Sequence, residues 1–224
     1  MTGKRKYDDG CAVAHGLDLI GERWALLVVR ELLLGPKRFT DLRAGVPGAS
    51  SDVLTQRLRE LTRFGIARRR KLAPPAGSWV YELTDWGMEL EPIVIQLGKW
   101  SSRSPALQTH AKIGADSLVL SFRALFDPRA AADLTVTVLL RLHEQEYGVR
   151  IADGVLDVNR GPADRPHVVI STDPDTLSAL LHDGRQLSEA LRAGDARVKG
   201  SAQVAERFLT LFPLPAPAPL PADT

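Results

Sequence analysis

Apolar and polar positions recur along this chain with two different periods, and the change falls near its middle. Leu54, Leu58 and Leu61 lie at i, i+4 and i+7, an apolar stripe that predicts an amphipathic helix. Asp52, Gln56, Arg59 and Arg63 fall on its opposite side, with Thr55 at their margin. Ser50 or Ser51 supplies the N-cap oxygen. Behind this helix come Arg68, Arg69, Arg70 and Lys71, a turn at Ala73-Pro74-Pro75-Ala76-Gly77, and Trp79-Val80-Tyr81-Glu82-Leu83, which read as the two strands of a basic ribbon. Ahead of it three helical segments are predicted. Cys11 to Ile20 puts Val13, Leu17 and Ile20 on one side. Glu22 to Leu34 carries a buried stripe of Trp24, Leu27, Val28 and Leu32 and stops at Gly35-Pro36. Phe39 to Arg43 is a short helix closed by Gly45-Val46-Pro47-Gly48. A short helix, a tight turn, a polar-faced helix and a basic ribbon together read as a winged helix-turn-helix. The later helix is expected to enter the major groove with its N-terminal end nearest the bases.

Asp85 to Ser102 predicts one more helix, with Leu90, Ile93, Val94, Leu97 and Trp100 along one face. A small domain with its own core has no room for so much apolar surface, so a second copy of the chain is its expected cover. Packing on the C-terminal half is the alternative.

Beyond Pro105 the period changes. Ala115 to Phe126 reads as a helix. Leu134, Val136, Val138, Leu140 and Leu142 then alternate with Thr135, Thr137, Leu139, Arg141 and His143, the period of a strand. Tyr147 to Ile151, a turn at Asp153-Gly154, and Val155 to Val158 continue as an antiparallel meander, and His167 to Ser171 is a further strand. Thr172 or Asp173 caps a helix with Pro174 in its first turn and Leu177, Leu180 and Leu181 buried. A short helix over Leu187 to Ala193, a strand over Ala196 to Gly200 and a helix with Val204, Phe208 and Leu211 on one stripe complete the half. From Pro213 onward proline alternates with alanine or leucine, a pattern of extended, disordered chain.

Composition sharpens this division. The net charge is only +2, yet residues 1–110 carry 17 Lys and Arg against 12 Asp and Glu, while the remainder carries 12 against 15. The positive excess sits with the basic ribbon, as contact with phosphate requires. Cys11 is the single cysteine, so neither an internal disulfide framework nor a Cys-rich zinc site is expected. The first residues lack the apolar stretch of a signal peptide, and no apolar run approaches the ~20 residues of a membrane span. The expected location is the cytoplasm.

Base-edge chemistry singles out particular side chains. Gln56 is the candidate adenine reader and Arg59 the candidate guanine reader, since each can pair bidentately. Ser51, Asp52, Thr55 and Arg63 share the DNA-facing set, although Asp52 and Thr55 equally suit helix capping or phosphate positioning. In the ribbon Arg68, Arg70 and Lys71 are the candidate phosphate contacts, and strand alternation lets at most alternate arginines face DNA.

Several runs resemble the HxlR family of bacterial winged-helix regulators: Cys11, Leu17 to Trp24, Arg30-Glu31-Leu32, Gly35 to Leu42, Leu54 to Leu61 and Tyr81-Glu82-Leu83-Thr84. The resemblance covers roughly the first hundred residues. It implies a homodimer on a two-fold-related operator in double-stranded DNA, acting as repressor or activator. It also implies a second reading of Cys11, because a cysteine at this position is a thiol sensor in some relatives. Cys11 follows Lys4-Arg5-Lys6 and opens a helix, and both features favour a thiolate; the other reading is a small buried hydrophobe.

The second half, by its order of elements and its ending Leu191 to Ser201, resembles the sterol-carrier-protein-2-like fold. That resemblance implies an apolar cavity between sheet and helices. Val136, Val138, Leu140, Leu180, Phe208 and Phe212 are its candidate ligand-contacting residues, or else simple core. The fold class is therefore α+β, with a winged helix-turn-helix and dimerisation domain over residues 1–106. An SCP2-like α/β sandwich (a curved, mostly antiparallel sheet with helices on one side) follows over 112–213, and a Pro/Ala-rich tail over 214–224. The expected function is a dimeric DNA-binding regulator controlled by an apolar small molecule. A thiol-based sensor and a hydrophobic-ligand carrier are the alternatives. No P-loop, nucleophile elbow, zincin motif or dinucleotide fingerprint is present, so no catalytic residue, metal site or cofactor is expected.

Overall fold

The computed structural model describes residues 6–108, 111–131 and 133–220, and the chain separates into two units, residues 1–94 and 95–224. Lys4 and Arg5, invoked above for Cys11, lie outside the described residues.

The first unit opens with α1 (Ala12–Ile20), α2 (Ala25–Leu32), α3 (Phe39–Gly45) and α4 (Ser51–Arg63). The ribbon follows as β1 (Ala67–Lys71) and β2 (Trp79–Leu83), and then α5 (Asp85–Met88). Ser50 is the N-cap of α4, its Oγ accepting from the Val53 N–H at 3.3 Å. Leu54, Leu58 and Leu61 are buried as their spacing predicts, and α4 packs against α2, whose Val28, Val29 and Leu32 are buried too. Two details of α2 differ from expectation. The helix starts at Ala25 rather than Glu22, because Trp24 is left-handed (φ 77°) and Glu22 to Ala25 closes a turn. Leu27 is 37% exposed, and Val29 takes its place in the core.

The predicted helix from Asp85 to Ser102 is broken. Pro92 has no N–H to give the Met88 carbonyl, so α5 ends in tight bonds (Glu89 N–H to Trp86 O, Leu90 N–H to Gly87 O) and α6 (Glu91–Ser101) starts afresh. No residue of α6 is buried; Ile93 is 52%, Leu97 45% and Trp100 75% exposed.

The second unit contains α7 (Ala115–Leu125), the strands β3 (Val136–Leu142), β4 (Gln145–Ala152), β5 (Val155–Arg160) and β6 (Val168–Thr172), then α8 (Pro174–His182), α9 (Leu187–Ala193), β7 (Ala196–Gly200) and α10 (Ala202–Leu209). The sheet order is β5-β4-β3-β6-β7. Only the β3–β6 pair is parallel; the other pairs are antiparallel. Asp153 and Gly154, both at positive φ, make the tight turn between β4 and β5. Asp173 is the N-cap of α8, with its Oδ1 accepting from the Thr176 N–H at 2.8 Å and Pro174 in the first turn.

One face of the sheet carries Val138, Leu140, Tyr147, Val149 and Ile170, all fully buried. Tyr147 donates from this face to Asp116 of α7 at 2.8 Å, and the Arg160 guanidinium reaches the same carboxylate oxygen at 2.6 Å. Burial first, then the Asp116 charge, pushes the Tyr147 phenol far above its usual range. Leu139, which strict alternation places on the opposite face, is also buried. The return segment crosses there: a Cβ on Gly148 would lie 3.4 Å from Ala163. After α10 the chain runs to Leu220 without helix or strand, and the Ala218 N–H donates to the Arg103 carbonyl at 2.7 Å. The remainder of the expected tail lies outside the described residues.

Candidate nucleic-acid interface

The helix-turn-helix pair is set by close packing around its turn. Asp41 accepts from the Arg38 N–H at the start of α3. A Cβ on Gly48, in the turn, would stand 2.4 Å from the Trp24 ring, and one on Gly45 would meet the Glu31 carboxylate. A side chain at either position would force these neighbours to shift. Glu31 is itself buried between Arg30 and Lys37, and the Lys37 backbone exchanges hydrogen bonds with Tyr81 of β2. The ribbon is thereby tied to the residue pair preceding α3. An open hollow of about 620 Å³ lies along Thr40, Arg43, Pro47, Gly48 and Ser50, between α3 and the start of α4.

On α4 the polar positions divide. Asp52, Gln56, Arg59 and Arg63 are exposed, and Ser51 and Thr55 are half-buried. Asp52 and Arg59 have no ion pair or hydrogen bond among the described residues. Thr55 turns its hydroxyl back to the Ser51 carbonyl at 2.7 Å. The Arg63 guanidinium lies over the Phe64 ring, 4.7 Å from its centroid. Gln56 donates from Nε2 to Glu60 at 3.3 Å.

Arg57, absent from the sequence-level set, is buried. Its Nη1 bonds Glu60 at 2.6 Å and lies 3.5 Å from Glu22. Its place was visible in the sequence, since position 57 is i+3 from Leu54 and i−4 from Leu61, inside the apolar stripe.

The ribbon sorts its arginines by strand alternation. Arg68 and Arg70 share a face with Glu82, whose two oxygens take their Nε groups at 2.8 and 2.6 Å. Burial pushes the Glu82 carboxyl up, but the hydrogen bonds and charges of Arg70 and Arg68 outweigh it and hold the group below its usual range. Arg69 takes the other face and stacks over half-exposed Trp79, 4.5 Å from the ring centroid. Lys71 is exposed beside it, opposite Trp79 in the register.

The remaining predicted residues lie elsewhere. Cys11 is exposed at the N-cap of α1. It makes no side-chain capping bond of ordinary length, yet the N–H groups of Ala14 and Val13 draw its thiol below the usual range. Val136, Val138, Leu140, Phe208 and Phe212 are at most 2% exposed and Leu180 is 8% exposed. Phe212 stacks on Phe122 at 4.2 Å and meets Phe208 edge-on at 5.2 Å. A separate groove of about 340 Å³ runs along Thr137, Gly148, Arg150, Asp157 and Asn159 of the same sheet. Among the described residues no cluster of three His, Cys, Asp or Glu side chains is placed to hold a metal ion. None of the described helices is long and apolar enough to cross a membrane.

Residues 19–108 match the HxlR-like helix-turn-helix family, and residues 113–218 match the alkyl sulfatase C-terminal family. Among solved structures, the quinone-bound YodB of B. subtilis is 29% identical over 40% of this chain and 93% of its own, with a TM-score of 0.35. YdeP, an HTH-type transcriptional regulator of Bacillus subtilis (strain 168), is 36% identical over 97 residues, 42% of this chain and 74% of the relative. YybR, an HTH-type regulator of the same organism, is 35% identical over 107 residues, 47% of this chain and 86% of the relative. Identity at this level runs through the segment that builds the helix-turn-helix and its ribbon and over most of each relative's length, so the chain belongs to the HxlR-like helix-turn-helix family and is an HTH-type transcriptional regulator.

Proposed function

We propose that this regulator works in the cytoplasm as a homodimer that reads a two-fold-related operator through α4 and the β1–β2 ribbon. The observation that carries the proposal is the division of α4: its leucine stripe is fully buried while Gln56 and Arg59 stand exposed on the other side. In this reading Gln56 meets adenine and Arg59 guanine, and Ser51, Asp52, Thr55 and Arg63 flank them. Lys71 and the arginines at 68 and 70 serve the phosphates. Residues 1–106 form the DNA-binding and dimerisation domain, with Leu90, Ile93, Leu97 and Trp100 at the dimer interface. Residues 112–213 form a non-catalytic, SCP2-like domain that takes an apolar effector.

The test is a titration of the full chain against the DNA upstream of its own gene and against a scrambled duplex. Operator DNA is expected to bind more tightly, and Arg59→Ala to lose about 1–3 kcal/mol and relax preference at one base pair. Equal affinity of the wild type for both duplexes refutes the proposal.

A second reading, thiol sensing through Cys11, is favoured by the exposure of its Sγ and by the backbone N–H groups that promote the thiolate. With one cysteine per chain, the disulfide options are a Cys11–Cys11 bond between subunits or a mixed adduct with a small thiol. Oxidant is then expected to change operator binding of the wild type and not of Cys11→Ser; an unchanged wild type ends this reading.

A further inference from the structure

Glu60 stands between two side chains of opposite character. Its Oε2 accepts from Nη1 of buried Arg57 at 2.6 Å, and its Oε1 accepts from Nε2 of exposed Gln56 at 3.3 Å. Arg57 is itself constrained, because its side chain is 8% exposed and the Glu22 carboxylate, in the turn after α1, lies 3.5 Å from the same Nη1. The Glu60 carboxylate is thus anchored from inside the unit and does not follow Gln56 when that side chain moves.

The anchoring has a chemical consequence. A charged carboxylate accepts hydrogen bonds and donates none. Of the two amide orientations open to Gln56, only the one with Nε2 toward Glu60 is favourable; the flipped form sets oxygen against oxygen. One N–H of Gln56 is then used, and the other N–H and the carbonyl oxygen remain side by side. That pair complements adenine, which offers an acceptor at N7 and a donor at N6. Guanine offers two acceptors, N7 and O6, so a fixed amide meets O6 with its own oxygen.

Arg57 brings a charge into the buried stripe at a desolvation cost. Its Nε is buried without a partner among the described residues, and a leucine there would continue the stripe of Leu54, Leu58 and Leu61 without burying a charge. The use of the arginine lies in what it holds.

We propose that Glu60 is a specificity-determining positioning residue: held by Arg57, it fixes the Gln56 amide so that α4 accepts adenine and rejects guanine at one base pair. This rests on the reading of Gln56 as a base contact, and the experiment separates the two.

Full-length wild type, Gln56→Ala, Glu60→Gln and the double variant are each selected against a randomised duplex library. They are then titrated on the preferred duplex and on its adenine-to-guanine version at the position where Gln56→Ala loses preference. The wild type is expected to discriminate by on the order of tenfold. Glu60→Gln, whose amide both donates and accepts, is expected to keep most of the affinity for the adenine duplex and lose the discrimination. In the Gln56→Ala background Glu60→Gln changes nothing further. Arg57→Leu, which releases Glu60 while preserving the apolar stripe, gives the same loss and guards against a Glu60 variant that melts early. A fall in affinity equal on both duplexes, with their ratio kept, overturns the proposal. If Gln56→Ala leaves preference intact at every position, the base-contact reading of Gln56 fails, and this proposal falls with it.

Discussion

At the scale of single residues, the basic run that marks the ribbon is less available than its charge count implies. Glu82 takes both Arg68 and Arg70 on one carboxylate, which leaves Arg69, stacked on Trp79, and Lys71 as the cations of β1 with no carboxylate partner among the described residues. Because the folded-state pKa of Glu82 is depressed, the clamp contributes stability at neutral pH. That contribution disappears only as pH falls through the lowered folded value, beneath the ordinary carboxylate range. Substituting Glu82→Gln removes the charge and keeps the shape. It is expected to raise affinity for scrambled duplex and to steepen the slope of log K against log salt by about one to two, as the freed arginines release counterions. Titration on one duplex over a range of salt concentrations measures this; an unchanged slope would mean that Glu82 does not limit how Arg68 and Arg70 meet phosphate.

At the scale of elements, α6 is the helix on which the proposed homodimer depends. Ile93, Leu97 and Trp100 stand open to solvent, and in the proposed homodimer a second copy covers them. Leu97→Glu places a charge in the centre of that face. The variant is expected to sediment as a monomer while the wild type sediments as a dimer, and to lose operator affinity, because two half-sites are no longer read together. A variant that remains dimeric would remove α6 from the interface.

How legible these elements were in the sequence follows from which forces set them. The stripe of α4, the Asp153-Gly154 turn and the Asp173-Pro174 helix start are local signals, and each is found where the sequence predicts it. The late start of α2 was not legible, because the left-handed Trp24 is held by packing against Gly48, a residue distant in sequence. The break before α6 was legible in Pro92 and was overridden by the apolar period running across it. The pairing of Arg68 and Arg70 with Glu82 needed the strand register, which only the folded ribbon supplies. The burial of Arg57 was open to a reading of the helical wheel, but its partner Glu22 lies beyond the reach of any periodicity.

At the scale of the whole molecule, the regulator has a DNA-reading unit and a unit with its own aromatic core. Phe122, Phe208 and Phe212 already fill one another's surroundings, so an apolar effector that enters among them has to displace packing. Its binding must outweigh contacts whose removal, as in Phe208→Ala, costs about 3–5 kcal/mol. The effector of the proposed function would therefore need apolar area enough to offset that loss. The expected outcome is that mass spectrometry of the purified full-length protein detects such a molecule, and that adding it shifts operator affinity. By linkage, operator DNA must then shift the affinity for that molecule by the same factor. Equal factors from the two titrations establish the coupling. If no molecule co-purifies and a series of fatty acids leaves operator affinity unchanged, the second unit acts without an apolar effector.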